Sequence, residues 1–244
     1  MDPEWLTIYL DLAPEEHAAG LAFWEGVTGW PVSQARGEHG EFATLVPPAG
    51  DPHLRVQRLD AGPSGVHLDI HVDDLDAALA RAEGLGARLV ARPGHAVLRS
   101  PAGFPFCLVR ERLAEPAGPS VWPDGHRSLA DQLCLDVPPA AYDAECAFWA
   151  ALLGVEVLDT TGSEFRRLDV PGPVQVLVQR LDEDEPVARG HVDVASDDRA
   201  AEVARLAALG ARDAGVGDDW TVLDPPAGPV LCVTDRDPAS GRHR

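Results

Sequence analysis

Near the start of the chain Leu6, Ile8, Leu10 and Leu12 alternate with Thr7, Tyr9 and Asp11. Period-two alternation predicts a half-buried strand over 5–12. The pattern returns as Leu133, Leu135 and Val137 against Gln132, Cys134 and Asp136. Pro14-Glu15-Glu16 then opens a predicted helix to about Val27, with proline in its first turn and acids at the positive end of the dipole; Gly29 ends it. A second such helix runs from near Ala140 to Gly154. Short apolar runs at 42–46 and 54–59, split by Pro47-Pro48-Ala49-Gly50, read as strands. Residues 66–72 read as another, followed by the cap Asp73-Asp74 and a helix over 75–86 with Leu75, Leu79, Ala82 and Leu85 on one stripe. Strands over 88–91, 96–99 and 106–109 complete the set.

These patterns occur twice, at an offset of about 125 residues, and a repeat of that period is a whole domain. Phe23-Trp24 returns as Phe148-Trp149, and Gly29 as Gly154. His67-Leu68-Asp69 returns as His191-Val192-Asp193. Ser100-Pro101-Ala102-Gly103 with Cys107 returns as Pro225-Pro226-Ala227-Gly228 with Cys232. The expected organisation is a domain over 1–112, a linker over 113–128 marked by Pro116, Pro119 and Pro123, a second domain over 129–236, and a flexible tail over 237–244. One helix for every three or four strands favours an α+β fold with curved antiparallel or mixed sheets. The polar strand positions would line their concave faces.

Composition narrows the function classes. The chain has 244 residues, 45% of them hydrophobic, and a formal net charge of −20. That charge argues against a nucleic-acid partner, because a phosphate backbone rewards Lys and Arg. No apolar run approaches a membrane span, and Met1-Asp2-Pro3-Glu4 lacks the basic start of a signal peptide, so a cytoplasmic protein without membrane association is expected. Cys107, Cys134, Cys146 and Cys232 form no CxxC pair and read as buried thiols in a reducing compartment.

The strongest chemical signal is His-x-Asp on one strand face. Period two places His67, Asp69 and His71 together, and His191 with Asp193. Such a pair can work as an acid–base couple, orient a ligand, or satisfy a buried network. Gln57 and Gln179 stand in matching Val-Gln-Arg-Leu strings; Arg55 and Tyr9 face the same way as Gln57 and Thr7 and are candidate ligand contacts. Trp24 and Trp149 read as core, whereas Trp5, Trp30 and Trp220 have no duplicate and are candidates for lining one pocket; Trp122, in the linker, is expected to pack on a domain. No glycine spacing supports a phosphate loop.

Phe23-Trp24-x4-Gly29, the run His67-Leu68-Asp69-Ile70-His71-Val72-Asp73-Asp74, Leu85-Gly86-Ala87-Arg88 and Pro101-Ala102-Gly103-Phe104-Pro105-Phe106-Cys107, each with a counterpart in the second half, resemble the vicinal oxygen chelate superfamily. That group includes glyoxalase I, bleomycin-resistance proteins and extradiol dioxygenases. The resemblance implies four βαβββ modules forming two glyoxalase-like domains. It also implies metal-ligand positions on four strands, which here hold Thr7 or Gln132, Gln57 or Gln179, His67 or His191, and Cys107 or Cys232. Thr and Gln are weak ligands, and Cys stands where the family commonly has Glu, so no metal cofactor is expected. The resemblance then implies metal-free binding or sequestration of a small organic molecule, of the bleomycin-resistance type. The alternative is a glyoxalase-type lyase or isomerase, metal-assisted or using His67, Asp69, His191 and Asp193 as acid and base. The chain would act as a fused pseudo-dimer or a homodimer. Dimeric relatives build each site from strands of both subunits, so a fused chain is expected to join Thr7 and Gln57 with His191 and Cys232, and Gln132 and Gln179 with His67 and Cys107. The alternative is that each half closes its own site.

Overall fold

In a computed structural model of the chain, residues 5–160 and 164–243 are described; the expectation drawn from Met1 to Glu4 lies outside them. The opening alternation forms β1 (Trp5–Leu12), and its copy forms the longer β9 (Arg127–Val137). The first half continues through α1 (His17–Thr28), β2 (Phe42–Thr44), β3 (Leu54–Arg58), β4 (Gly65–His71), α2 (Leu75–Gly84), β5 (Arg88–Ala91), β6 (Ala96–Arg99) and β7 (Pro105–Val109). After β8 (Ser120–Val121) and β9 the second half repeats the order: α3 (Tyr142–Leu153), β10 (Val157–Asp159), β11 (Phe165–Leu168), β12 (Gln175–Arg180), β13 (Arg189–Ser196), α4 (Arg199–Ala208), β14 (Arg212–Val216), β15 (Trp220–Asp224) and β16 (Leu231–Thr234). In the first half, the strand that should follow α1 is reduced to isolated bridges at Val32 and Arg36; the second half has β10 there.

The strands form two mixed sheets, ordered β2-β3-β1-β4-β7-β6-β5 and β10-β11-β12-β9-β13-β16-β15-β14, with β8 paired to β9. Most pairs are antiparallel, but β4 with β7 and β13 with β16 are parallel. The α+β architecture with two mixed sheets expected from the sequence is present. No helix among the described residues is long and apolar enough to cross a membrane.

Packing divides the described residues into two compact units, each drawing on both halves of the sequence: 5–8, 67–114 and 133–190 form one, and 9–66, 115–132 and 191–243 the other. In the first unit Phe104 and Phe106 meet the Trp149 ring of α3 at 6.1 and 5.2 Å, nearly edge-on, an arrangement aromatic pairs prefer. There the buried Glu145 accepts hydrogen bonds from Ala102 N (2.9 Å) and Trp149 Nε1 (2.8 Å). In the second unit Arg205 of α4 donates to the free carbonyls of Gly26 and Val27 at the end of α1, and its guanidinium lies 3.4 Å from the Trp122 ring. Gly29 ends α1 in the left-handed region (φ 67°), the cap that glycine adopts without a Cβ clash.

Two helix boundaries are corrected. The first helix begins at His17 rather than Pro14; Glu16 is its N-cap, its carbonyl accepting from Gly20 N at 2.8 Å while its carboxylate turns to Ser64 and to Gly228 N. Leu85 is 36% exposed and falls off the α2 stripe, since the helix stops at Gly84. Within the segment 113–128, β8 pairs with the start of β9, and Trp122 packs as expected, donating to Ser128 Oγ at 2.8 Å. The segment after β16 makes local turn contacts. Asp237 accepts from Ala239 N and Ser240 N, and Arg236 bridges to His243.

Candidate functional site

In the first unit the pleat of β4 brings His67, Asp69 and His71 to one face, and the parallel pairing of β4 with β7 sets Cys107 opposite Asp69. His67 Nε2 lies 3.4 Å from Asp69 Oδ1, and one donor atom each of His67, Asp69 and Cys107 lie within 4.8 Å of one another. All three side chains are buried. Asp69 Oδ1 accepts no hydrogen bond among the described residues. Burial pushes the Cys107 thiol pKa up, and the His67 contact only partly opposes this. The thiol is thereby kept protonated, which disfavours it as a nucleophile.

Beside that group, Thr7 Oγ1 lies 2.9 Å from His71 Nε2, and His71 Nδ1 lies 3.0 Å from the carbonyl of Glu111. A carbonyl only accepts, so Nδ1 carries a proton. In the neutral ring Nε2 then accepts from the Thr7 hydroxyl. His71 is a satisfied core histidine.

The second unit repeats the His–Asp pair with different support. His191 Nε2 lies 3.2 Å from Asp193 Oδ1, and Cys232 stands opposite Asp193 across the parallel pair of β13 and β16. Gln132 Nε2 donates to the other carboxylate oxygen, Oδ2, at 2.6 Å. The adjacent Asp131 is bound by both terminal nitrogens of Arg236 (2.6 and 3.1 Å), and Arg236 Nε donates to Thr234 Oγ1. Neither the Gln132–Asp193 bond nor this buried ion pair was legible in the sequence. Partners this far apart along the chain leave no periodic signal.

For Thr7 and Gln132 the expected exchange of strands between halves does not occur. Thr7 bonds a residue of β4, the strand that carries His67, and Gln132 bonds a residue of β13, the strand that carries His191. The reason is topological: β4 lies in the sheet of β1 and β13 in the sheet of β9, so each half keeps its own polar wall.

The remaining candidates fall on two hairpins and in the core. Gln57 and Arg55 of β3 stand opposite Phe42 and Thr44 of β2, and Tyr9 meets the Phe42 ring edge-on at 6.2 Å. Gln179 of β12 stands opposite Phe165, with Cys134 Sγ 3.9 Å from its Oε1. Trp5 and Trp30 are buried, Trp30 edge-on to His53 at 5.4 Å. Trp220 is partly exposed, its ring lying against Gly217 in the hairpin that links β14 to β15.

The family described as "Glyoxalase-like domain" matches the chain twice, over residues 7–109 and 132–234. No curated protein sequence matches. Among solved structures, the Mn(II)-bound glyoxalase from Novosphingobium aromaticivorans is 20% identical, with 93% of this chain and 80% of that one covered and a TM-score of 0.63. A mutant 4-hydroxymandelate synthase from Streptomyces coelicolor is 15% identical, with 100% and 95% covered and a TM-score of 0.63. An extradiol ring-cleaving dioxygenase from B. fuscum is 15% identical, with 98% and 74% covered and a TM-score of 0.65. At these identities the likeness is one of fold.

Proposed function

The chain belongs to the glyoxalase-like domain family of the vicinal oxygen chelate superfamily, and on that premise we propose that it binds or sequesters small organic molecules at its two His-x-Asp walls without a resident metal. The observation that carries this reading is the recurrence of the His–Asp pair, at 3.4 and 3.2 Å, among residues that make a poor cage. At the family's four ligand positions the Thr7 hydroxyl is held by His71, Gln132 Nε2 by Asp193, and the Cys107 thiol stays protonated. Gln57 and Gln179 offer only neutral amides. These residues do not fit the four-strand metal set of the family.

The pair itself suits recognition. An imidazole and a carboxylate on one strand face can between them donate to and accept from a polar group of a ligand. A thermal-shift screen of neutral and charged small organic compounds tests the reading. Expected are stabilising compounds whose effect is lost in His67→Ala/His191→Ala. A broad library without a single stabilising compound sinks it.

A second reading has its own support. One donor atom each from His67, Asp69 and Cys107 lie within 4.8 Å of one another, and nitrogen, carboxylate and sulfur together suit a zinc-like ion. Elemental analysis of the purified protein separates the two readings. The binding reading expects no stoichiometric divalent metal, whereas one ion per His–Asp wall, lost on His67→Ala, would favour a metal-assisted enzyme.

A further inference from the structure

Two hairpins, one in each compact unit, carry the same arrangement of side chains. In β2–β3, Phe42 stands opposite Gln57 and Thr44 opposite Arg55. In β11–β12, Phe165 stands opposite Gln179 and Arg167 opposite Leu177. Each hairpin thus has a Phe–Gln cross-strand pair and, two residues along the same face, a pair containing one arginine. The arginine is on β3 in the first copy and on β11 in the second. The sequence carries the trace of this as Glu41-Phe42-x-x-Leu45 and Glu164-Phe165-x-x-Leu168.

The opposite faces fix which way these residues point. Ala43, Leu54 and Val56 are buried behind the first hairpin, and Leu168, Val176 and Val178 behind the second. Arg166 turns to that rear side, paired with Asp143 at 2.7 Å and 4.9 Å from the Tyr142 ring. Alternation sends its neighbours Phe165 and Arg167 to the front. Both are half-buried, and among the described residues no acceptor is bonded to Arg167. On the first hairpin Tyr9 adds a second ring beside Phe42, and Arg36 Nη2 donates to Thr44 Oγ1 at 2.7 Å, bringing a second guanidinium to the strand pair of Arg55.

An arginine that changes strand but keeps its place answers a need for charge there. A packing role tied to one backbone position would have kept the strand. The chain has 20 Lys and Arg against 40 Asp and Glu, so a cation in the corresponding cross-strand pair of both copies stands against the general trend. Resting on the small-molecule reading above, we infer that each hairpin is a recognition wall for an organic anion: a carboxylate on an aromatic or apolar body. The guanidinium takes the carboxylate through paired hydrogen bonds, the phenylalanine ring packs on the body, and the glutamine amide serves a further polar group.

Titration calorimetry with benzoate and phenylacetate, set against benzamide and phenylacetamide, tests this. The acids should bind at least about tenfold more tightly than the amides, with two sites per chain, as expected for charge-assisted over neutral hydrogen bonds. Arg167→Gln, at a half-exposed position, should reduce the count to one site, and Arg55→Gln/Arg167→Gln should remove the preference for acids. If burial of Arg55 makes the double variant unfold, the loss of one site in Arg167→Gln decides alone. Amides that bind as well as acids, two acid sites persisting in Arg167→Gln, or no acid binding at millimolar concentration overturns the inference. A neutral compound that binds in the broad screen would still leave the small-molecule reading standing, so the two failures are distinguishable.

Discussion

Gln132 holds Asp193 with a 2.6 Å hydrogen bond, whereas Thr7, at the same place on the first copy of that strand, bonds His71 and not Asp69. The duplicated aspartate is therefore braced by a side-chain amide in one half and lacks that brace in the other. Asp193 is almost wholly shielded from water, so the amide is one of the few groups that offset the cost of burying its carboxylate.

Gln132→Leu should destabilise the protein by about 1.5–3 kcal/mol, the range for a hydrogen bond to a charged group. Thr7→Val removes a neutral bond and should cost about 1 kcal/mol. Urea unfolding of the two variants measures both, and equal costs would contradict the difference in bracing.

Arg236→Met should be the most damaging single change in the second unit. It leaves Asp131 as a buried carboxylate without its bidentate partner, a loss of about 3–5 kcal/mol. Burial already pushes the Asp131 carboxyl pKa up, against the pull of Arg236. Replacing both, as Asp131→Leu/Arg236→Met, should recover much of the stability. A double variant no better than Arg236→Met would argue against a stranded charge as the cause.

His53 gives the fold an acid-side weakness. Its ring is buried against Trp30, Nε2 lies 2.8 Å from the Ala130 carbonyl, and burial lowers its pKa to about 4. The unfolded chain takes up this proton below about pH 6.5, while the folded chain resists until about pH 4. The stability is thus present above pH 6.5 and falls as the pH drops toward 4, by about 3 kcal/mol in all at 1.36 kcal/mol per pH unit. His53→Gln should flatten that slope in denaturant unfolding between pH 7 and 4, and an unchanged slope would exclude His53 as its source.

His126 acts in the opposite sense. Burial disfavours its charged form, but contacts with Glu202 (2.9 Å) and Asp124 (2.5 Å) outweigh it and hold the pKa above the ordinary histidine value. Its contribution is complete below about pH 6.5 and is lost as pH rises through the higher folded value. Glu202 also receives Ser128 Oγ and Arg205, so His126→Gln should remove the alkaline-side loss without unpinning α4. A loss that persists in this variant would place its origin elsewhere.

Local periodicity determined much of this protein. The limits of β1 and the helix stops at Gly29 and Gly154 follow from alternation or from a glycine that can turn left-handed, properties of a few adjacent residues. The His-x-Asp faces were legible for the same reason, since a pleat places i and i+2 together whatever the strand pairs with.

Tertiary structure alone decided the partners. The Glu16 carboxylate found Gly228 N, Ser120–Val121 of the proline-rich segment paired with β9, and Arg236 found Asp131 across 105 residues. Thr7 and Gln132 occupy duplicate positions but bond different residue types, and Arg55 and Arg167 reach one kind of place from different strands. Register between strands and the burial of charge depend on residues far apart in the chain, whose pairing energies are set only when the sheets form.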